Sequence, residues 1–300
     1  VATLCEQKRQ VIVVTSGAIA AGMAALNLRQ RPKHLHELQA CAAIGQSKLM
    51  AIYDGVFAKR GIIVAQVLLT HDDLKNRDRH LNARNTLSEL LARGVVPVIN
   101  ENDTVAVEEI KFGDNDRLGA LAATLMDADL LVILSHVEGL LQDGNVVSVV
   151  PEITREIERL AGGTDRATSV GGMKSKIEAA RIVTRAGIPM IIANTLTGLL
   201  DGDEAGTLFL PKTGKLASRK RWIAFFQKPA GILVVDDGAR TALCEGGKSL
   251  LTKGVLRTEG KFAAGDIVSI HDSAGNEFAR GLIKTTDGSV LVHRDDLVIL

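Results

Sequence analysis

The chain has no excess of charge of either sign: 36 Lys and Arg stand against 35 Asp and Glu among 300 residues, a formal net charge of +1. So balanced a protein has no global field drawing it to nucleic acid or an anionic membrane, and any such binding must be local. Cysteine is scarce. Cys5, Cys41 and Cys244 are scattered, odd in number and form no C-x-x-C, which argues against a disulfide framework or a structural zinc site and fits a reducing cytoplasm. No apolar run reaches the ~18 to 20 residues needed to cross a bilayer, and Val1–Glu6 lacks a basic region followed by an apolar one. Neither a membrane anchor nor an export signal is therefore expected. The phosphate loop G-x-x-x-x-G-K-[ST] occurs nowhere, and there is no internal repeat or low-complexity segment. His34 and His36, two apart, do not align on a helix face, so no metal ligand set is legible. What the chain has is apolar material, 46% of its residues, enough for one large domain and a small one.

From the start to about Ile192, β-branched runs alternate with helical patterns. Val11–Val14, Ile62–Leu69, Val95–Ile99, Leu130–Leu134 and Pro189–Ile192 are apolar without a strict period of two, as buried parallel strands are. Between them Leu35–Lys59, Arg79–Arg93, Asn115–Met126 and Met173–Arg185 carry apolar residues at three- and four-residue spacing. Gly94 and Gly187 stop the helices before them. The alternation predicts right-handed βαβ crossovers and a doubly wound, mainly parallel α/β domain over residues 1–227. The segment after Leu210 is basic, with Lys212, Lys215, Arg219, Lys220 and Arg221. Residues 228–300 read as short strands separated by glycine-bearing turns: Ile232–Val235, Gly254–Leu256, Ile267–Ile270, Phe278–Ile283, Val290–Val292 and Leu297–Leu300 suit a small β-barrel.

The polar residues cluster where such a fold binds ligands. Asn100-Glu101-Asn102-Asp103 follows the apolar run Val95–Ile99 and so hangs from the carboxyl end of a buried strand, with Gly113-Asp114-Asn115-Asp116 close behind. Short side chains with donors and acceptors suit a small ligand bearing an amine and carboxylates, and spare Asp oxygens suit a lysine or magnesium. Asn, Asp and Gly are also the commonest turn residues, so either cluster alone reads equally well as a polar turn. Val11–Val14 runs into Thr15-Ser16-Gly17-Ala18, where backbone N–H groups, a hydroxyl and a helix dipole could meet an anion; the alternative is an ordinary N-cap with close helix packing. In the segment Val170-Gly171-Gly172-Met173-Lys174-Ser175-Lys176, glycines let the backbone approach a phosphate and Lys176 could neutralise a transferring phosphoryl group, although alone it reads as a loop before a surface helix. Ser135 and His136 follow the most apolar strand on the same sheet edge, a plausible nucleotide wall.

These segments resemble the glutamate 5-kinases, amino-acid kinase family enzymes with a C-terminal PUA domain. The matching stretches are Val13–Gly22, Val98–Asp103, Lys111–Asp116, Gly171–Lys176 and Gly206–Phe209, and in the tail Ser249–Val255, Gly260–Asp266 and His293–Asp296. The resemblance implies ATP-dependent phosphorylation of the L-glutamate side-chain carboxylate to glutamyl 5-phosphate, the first step of proline biosynthesis, with ATP carried as its Mg2+ complex. It implies glutamate contacts at Ser16, Gly17, Asp103 and Asn115, and ATP contacts at Ser135, His136 and the loop Val170, Gly171, Gly172, Met173, Lys174, Ser175 and Lys176. Lys176 would stabilise charge with Lys111 assisting, and Asp116 with Asp114 would orient the lysines or a magnesium-bound nucleotide. An ionised carboxylate acceptor needs no general base, so positioning and cationic stabilisation should dominate. Feedback inhibition by proline and a homo-oligomer are further implications.

Three departures from the family pattern stand out, one being a shortened PUA-like module over 228–300, in which Leu282–Gly288 stands where a longer helical stretch is expected. The family has Thr-Asp where this chain has Ser135-His136, and its opening strand, ending in Lys-x-Gly-[Ser/Thr], is expected upstream of Val1. Relatives acting on acetylglutamate, aspartate, carbamate or UMP share the architecture but generally lack both the Gly-Asp-Asn-Asp cluster and the PUA module. An RNA-binding protein working through the tail is a more distant alternative: residues 228–300 hold 9 Lys/Arg against 10 Asp/Glu, with Phe262 and Phe278 their only aromatics, a poor footprint for nucleic acid.

Overall fold

The computed structural model describes residues 1–106, 115–162, 172–199, 202, 205–212, 218–285 and 290–300. The chain divides into two compact units, Val1–Thr184 with Ile188–Lys212, and Thr213–Leu300 with Arg185–Gly187. The division falls earlier than residue 227, because Ser218–Phe226 packs against strands of the tail.

In chain order the first unit runs α1 (Ala2–Glu6), β1 (Val13–Val14), α2 (Ala18–Ala25), α3 (Leu35–Ala58), β2 (Val64–Leu69), α4 (His71–Lys75), α5 (Arg77–Ala92) and β3 (Val96–Glu101). It continues with α6 (Asn115–Met126), β4 (Leu131–Leu134), β5 (Leu141–Gln142), β6 (Asn145–Val146), β7 (Val149–Val150), α7 (Arg155–Gly162), α8 (Met173–Arg185), β8 (Met190–Ala193) and β9 (Thr207–Phe209). The described strands form a parallel three-stranded sheet, β1-β3-β2, a mixed four-stranded sheet, β4-β8-β9-β7, and the hairpin β5-β6. Central β3 is buried at all six positions, which explains its unbroken apolar run. Helix α6 touches β1, β3 and β4 and so spans both sheets. Its Leu118, Ala120, Leu121, Ala122 and Leu125 are all buried, and a helix between two layers has no wet face to fill with charge.

Helices α2 and α3 pack backbone against backbone. A methyl at Gly22 would overlap the carbonyl oxygen of Cys41, and one at Gly45 would overlap that of Ala18. The small-residue run after β1 therefore serves packing through Ala18 and Gly22, both buried, while Ser16 and Gly17 stay exposed. Gly17 caps α2 at φ 104°, a left-handed conformation that favours glycine.

The second unit holds α9 (Ser218–Arg221), a π-helical turn (Trp222–Phe226), β10 (Gly231–Val235), α10 (Asp237–Cys244), β11 (Leu250–Leu251), β12 (Val255–Gly260), β13 (Ile267–His271), β14 (Glu277–Ile283) and β15 (Val290–Ile299). The strands form one sheet, β11-β15-β14-β13-β10-β12, over a core that includes Leu233, Val268, Ile270, Leu291 and Val292. Arg280 Nη1 donates to the Ala224 carbonyl at 2.7 Å, tying the π-helical turn to β14. Two sequence expectations change here. Asp237–Cys244 is a helix, capped by Asp236 Oδ1 accepting from Ala239 N–H at 2.6 Å. Val290–Val292 and Leu297–Leu300, read as separate strands, are parts of β15: Val292 pairs with Ile283 and Leu297 with Gly281, so the polar His293–Asp296 is a bulge.

Gly45→Ala is expected to destabilise the protein by about 1–3 kcal/mol through forced separation of α2 and α3. On the same helix Gly55, whose added methyl would meet open space, should gain up to about 1 kcal/mol as Ala from helix propensity. Urea titrations of both variants check the contrast.

Candidate active site

The polar residues gather at the carboxyl ends of the parallel strands. Val14 pairs with Ile99 and Leu69 with Glu101, so the residues after β1, β2 and β3 emerge side by side. Thr15 continues the ladder, its N–H donating to the Ile99 carbonyl at 2.9 Å, and its Oγ1 lies 2.7 Å from the Tyr53 hydroxyl. Ser16 follows, exposed. At the end of β3, Asn100 and Glu101 are buried on opposite faces of the strand, while Asn102 and Asp103 are half-buried. The turn after them is closed by Ala106 N–H donating to the Asn102 carbonyl at 3.1 Å and by the Thr104 hydroxyl donating to Asn102 Oδ1 at 2.6 Å.

After β2 comes α4, held by a capping box in which Thr70 N–H donates to Asp73 Oδ2 at 2.9 Å and Asp73 N–H to Thr70 Oγ1 at 3.1 Å. Burial works to raise the Asp73 pKa, but hydrogen bonds from Thr70 and Arg79 outweigh it and hold the carboxyl below its ordinary value. The helix start delivers His71 to a buried position 3.7 Å from Glu101 Oε2.

The second group joins two distant helix starts. Lys176, in the first turn of α8, places Nζ 2.9 Å from Asp116 Oδ2, and the Ser175 hydroxyl lies 2.7 Å from the same oxygen and 2.8 Å from the Gly172 carbonyl. The lysine and aspartate side chains are only 12% and 19% exposed. Asp116 suits the positive end of α6, but a cation in the first turn of α8 works against the helix dipole. Helix stability is therefore not what places Lys176. Both contacts fall on Oδ2, so Asp116 Oδ1 carries neither.

The structure thus brings Asp116, Ser175 and Lys176 together, with Asn115 opening the same helix as Asp116, and sets Ser16 and Gly17 just past the end of the strand beside the one that leads to Asp103. Ser135 extends β4, its N–H donating to the Ala193 carbonyl at 2.9 Å, and His136 is exposed. Gly172 and Lys174 are exposed and Met173 is half-buried. Lys111, Asp114, Val170 and Gly171 lie outside the described residues. Gln46, Tyr53 and His71 were not singled out by sequence; only the uniqueness of Tyr53, the chain's one tyrosine, could have marked one of them. Of the basic segment, Lys212 pairs with Glu152 at 3.5 Å, Arg219 lies 2.6 Å from Asp296 Oδ1, and Arg221 is buried. That leaves a reduced cationic footprint for RNA. No helix among the described residues is long and apolar enough to cross a membrane.

Residues 1–194 match the amino acid kinase family, and residues 231–288 match the PUA domain. A glutamate 5-kinase of Pelobacter propionicus is 46% identical over an alignment covering all of this chain and 90% of that protein. One of Moorella thermoacetica is 48% identical, covering 97% of this chain and 86% of that protein. Among solved structures, a carbamate kinase from Giardia lamblia bound to citric acid is 16% identical at a TM-score of 0.46, covering 70% of this chain and 87% of that one. With a family match over most of its length and relatives this similar along the whole of it, the chain belongs to the amino acid kinase family and, within it, to the glutamate 5-kinases that carry a PUA domain.

Proposed function

We propose that the carboxyl edge formed by β1, β2 and β3, together with the Asp116–Lys176 pair, is where this chain phosphorylates glutamate. The reaction is that of its family: a γ-carboxylate oxygen of L-glutamate attacks the terminal phosphorus of ATP, the bond to the bridging oxygen breaks, and ADP leaves with glutamyl 5-phosphate as product. The acceptor is ionised at neutral pH, so no base is needed; the obstacle is bringing two anions together. The observation that carries the assignment is the 2.9 Å contact between Lys176 and Asp116, which joins two separate motifs in one partly buried pair. Lys176 meets the negative charge on the transferring phosphoryl oxygens, and Asp116 holds the ammonium in place. Ser16, Gly17, Asp103 and Asn115 hold the amino acid, with Asp103 facing its amine. The helix start at Gly172–Lys176, with Ser135 and His136, lies against the nucleotide. Lys111 and Asp114 belong to the same proposal by position in the sequence.

Magnesium fits the donor set. Asp116 Oδ1 is the atom that would meet a nucleotide-borne ion, which is bound by one or two carboxylates and the phosphates and would supply charge neutralisation there. A reducing cytoplasm is the proposed compartment, supported by the free Cys5, Cys41 and Cys244. Proline feedback and a homo-oligomer rest on family membership alone.

Asp116→Asn should abolish glutamate-dependent ATP turnover while circular dichroism and Tm stay near those of the parent protein; full turnover at saturating substrates would remove Asp116 from the machinery. Asp103→Ala should weaken glutamate by roughly 10- to 150-fold, the loss of one charge-assisted hydrogen bond worth about 1.5–3 kcal/mol, and leave ATP almost unaffected. Calorimetry with each ligand distinguishes this from a general disturbance. Chelation by EDTA should stop turnover, and excess Mg2+ should restore it. A panel of L-glutamate, acetylglutamate, aspartate, carbamate and UMP should show activity with glutamate alone.

A further inference from the structure

Helix α3 aims two polar side chains at the strand ends of the acceptor site. Gln46 and Tyr53 are seven residues apart, two helical turns, and so share a face. Tyr53 reaches Thr15, one residue before Ser16, with 2.7 Å between Oγ1 and the tyrosine hydroxyl. Gln46 reaches Asn100, three residues before Asp103, its Oε1 accepting from Asn100 Nδ2 at 2.9 Å. Thr15 and Asn100 are themselves neighbours, because each follows the paired Val14 and Ile99.

The polarity of the second contact follows from the backbone. Glu101 N–H donates to Asn100 Oδ1 at 2.9 Å, so the other end of that amide must be the NH2, and the atom of Gln46 facing it must be the oxygen. Gln46 Nε2 is then the far end of the chain of donors, buried and without an acceptor among the described residues. An apolar side chain here would remove that unmatched donor but leave Asn100 Nδ2 without its acceptor, so what the glutamine provides is its hold on Asn100. Asn100 has both ends of its amide engaged and is buried, so it serves as a tie between α3 and β3 and not as a ligand contact.

We infer that Gln46 and Tyr53 are positioning residues for the acceptor: α3 fixes the end of β3 through Asn100 and the end of β1 through Thr15, and thereby sets the spacing between Ser16 and Asp103 across which glutamate is held. The close approach of Gly45 to Ala18 and of Gly22 to Cys41 fixes α3 against the helix that follows Ser16, so the two hydrogen bonds work against a rigid reference. The inference rests on Ser16 and Asp103 being the glutamate contacts proposed above. The hydrogen bonds of Gln46 and Tyr53 run to Asn100 and Thr15, on the acceptor side, so their removal is expected to act on one substrate.

The test is steady-state kinetics and Tm on the full-length protein carrying Gln46→Leu, Gln46→Glu or Tyr53→Phe, with Ser16→Ala and Asp103→Ala as reference variants. Gln46→Leu and Tyr53→Phe should each raise KM for glutamate about tenfold, the scale of one lost hydrogen bond, with KM for ATP unchanged within about twofold and kcat little altered. Gln46→Glu keeps an oxygen for Asn100 and should restore most of the glutamate affinity lost in Gln46→Leu. Tyr53→Phe removes one oxygen and retains the ring, so it reads out the idea even if Gln46→Leu fails to fold. A fall in Tm with both KM values unchanged, or equal rises in both, overturns the inference while leaving the acceptor site standing if Ser16→Ala and Asp103→Ala still weaken glutamate. If those two variants leave glutamate affinity intact, the site assignment itself is wrong and the inference falls with it.

Discussion

The Asp116–Lys176 pair is the contact on which the proposed chemistry depends, because the reaction must bring an anionic acceptor to an anionic nucleotide. A free lysine in water samples many rotamers and lends little directed charge. Here the ammonium is held at 2.9 Å from a carboxylate on another helix and largely shielded from solvent. Shielding cuts both ways: it strengthens attraction to an arriving phosphoryl group and makes an uncompensated charge costly when no substrate is present. Asp116 answers the second problem in the resting protein. It is a carboxylate at a helix N-terminus, where the helix dipole favours its charge.

The two helices that supply this pair come from different parts of the unit. Helix α6 lies against strands of both sheets, and α8 leads directly into β8 of the four-stranded one. Of the residues proposed to hold the acceptor, Ser16, Gly17 and Asp103 follow strands of the three-stranded sheet and Asn115 opens α6. A doubly wound architecture suits this arrangement, because ligands of such folds bind outside the carboxyl ends of the strands.

Much of this was legible in the sequence, and what was not has a common cause. Asn115–Met126 and Met173–Arg185 have the boundaries expected from apolar spacing, because a helix writes its buried face into its own sequence. Strand ends were less certain: Val11–Val14 shortens to Val13–Val14, since local apolarity does not say where a neighbour stops pairing. The bulge at His293–Asp296 looks like a turn because its polar residues are read without β14 beside them. Asp116 and Lys176 could each be singled out by residue type and position, but their contact could not be read from spacing. The Gln46–Asn100 and Thr15–Tyr53 contacts, 54 and 38 residues apart, had no local signal at all. Residue chemistry is written locally; partnership is decided by packing.

The crossing of α2 and α3 also bears on how this enzyme can change. Where two backbones touch through glycines, there is no side chain to trim or enlarge, and the usual route of altering a pocket one methylene at a time is closed on that wall. A shift of Ser16 would have to carry α3 with it, along with everything α3 ties down. New acceptor preferences are therefore expected from substitution in the short turn from Asn102 to Thr104, whose residues are exposed or half-buried and where no glycine-to-backbone contact restricts side-chain size. The architecture divides the proposed site into an inherited wall and an adaptable one, and a library that randomised both alike would spend most of its members on the half that cannot yield.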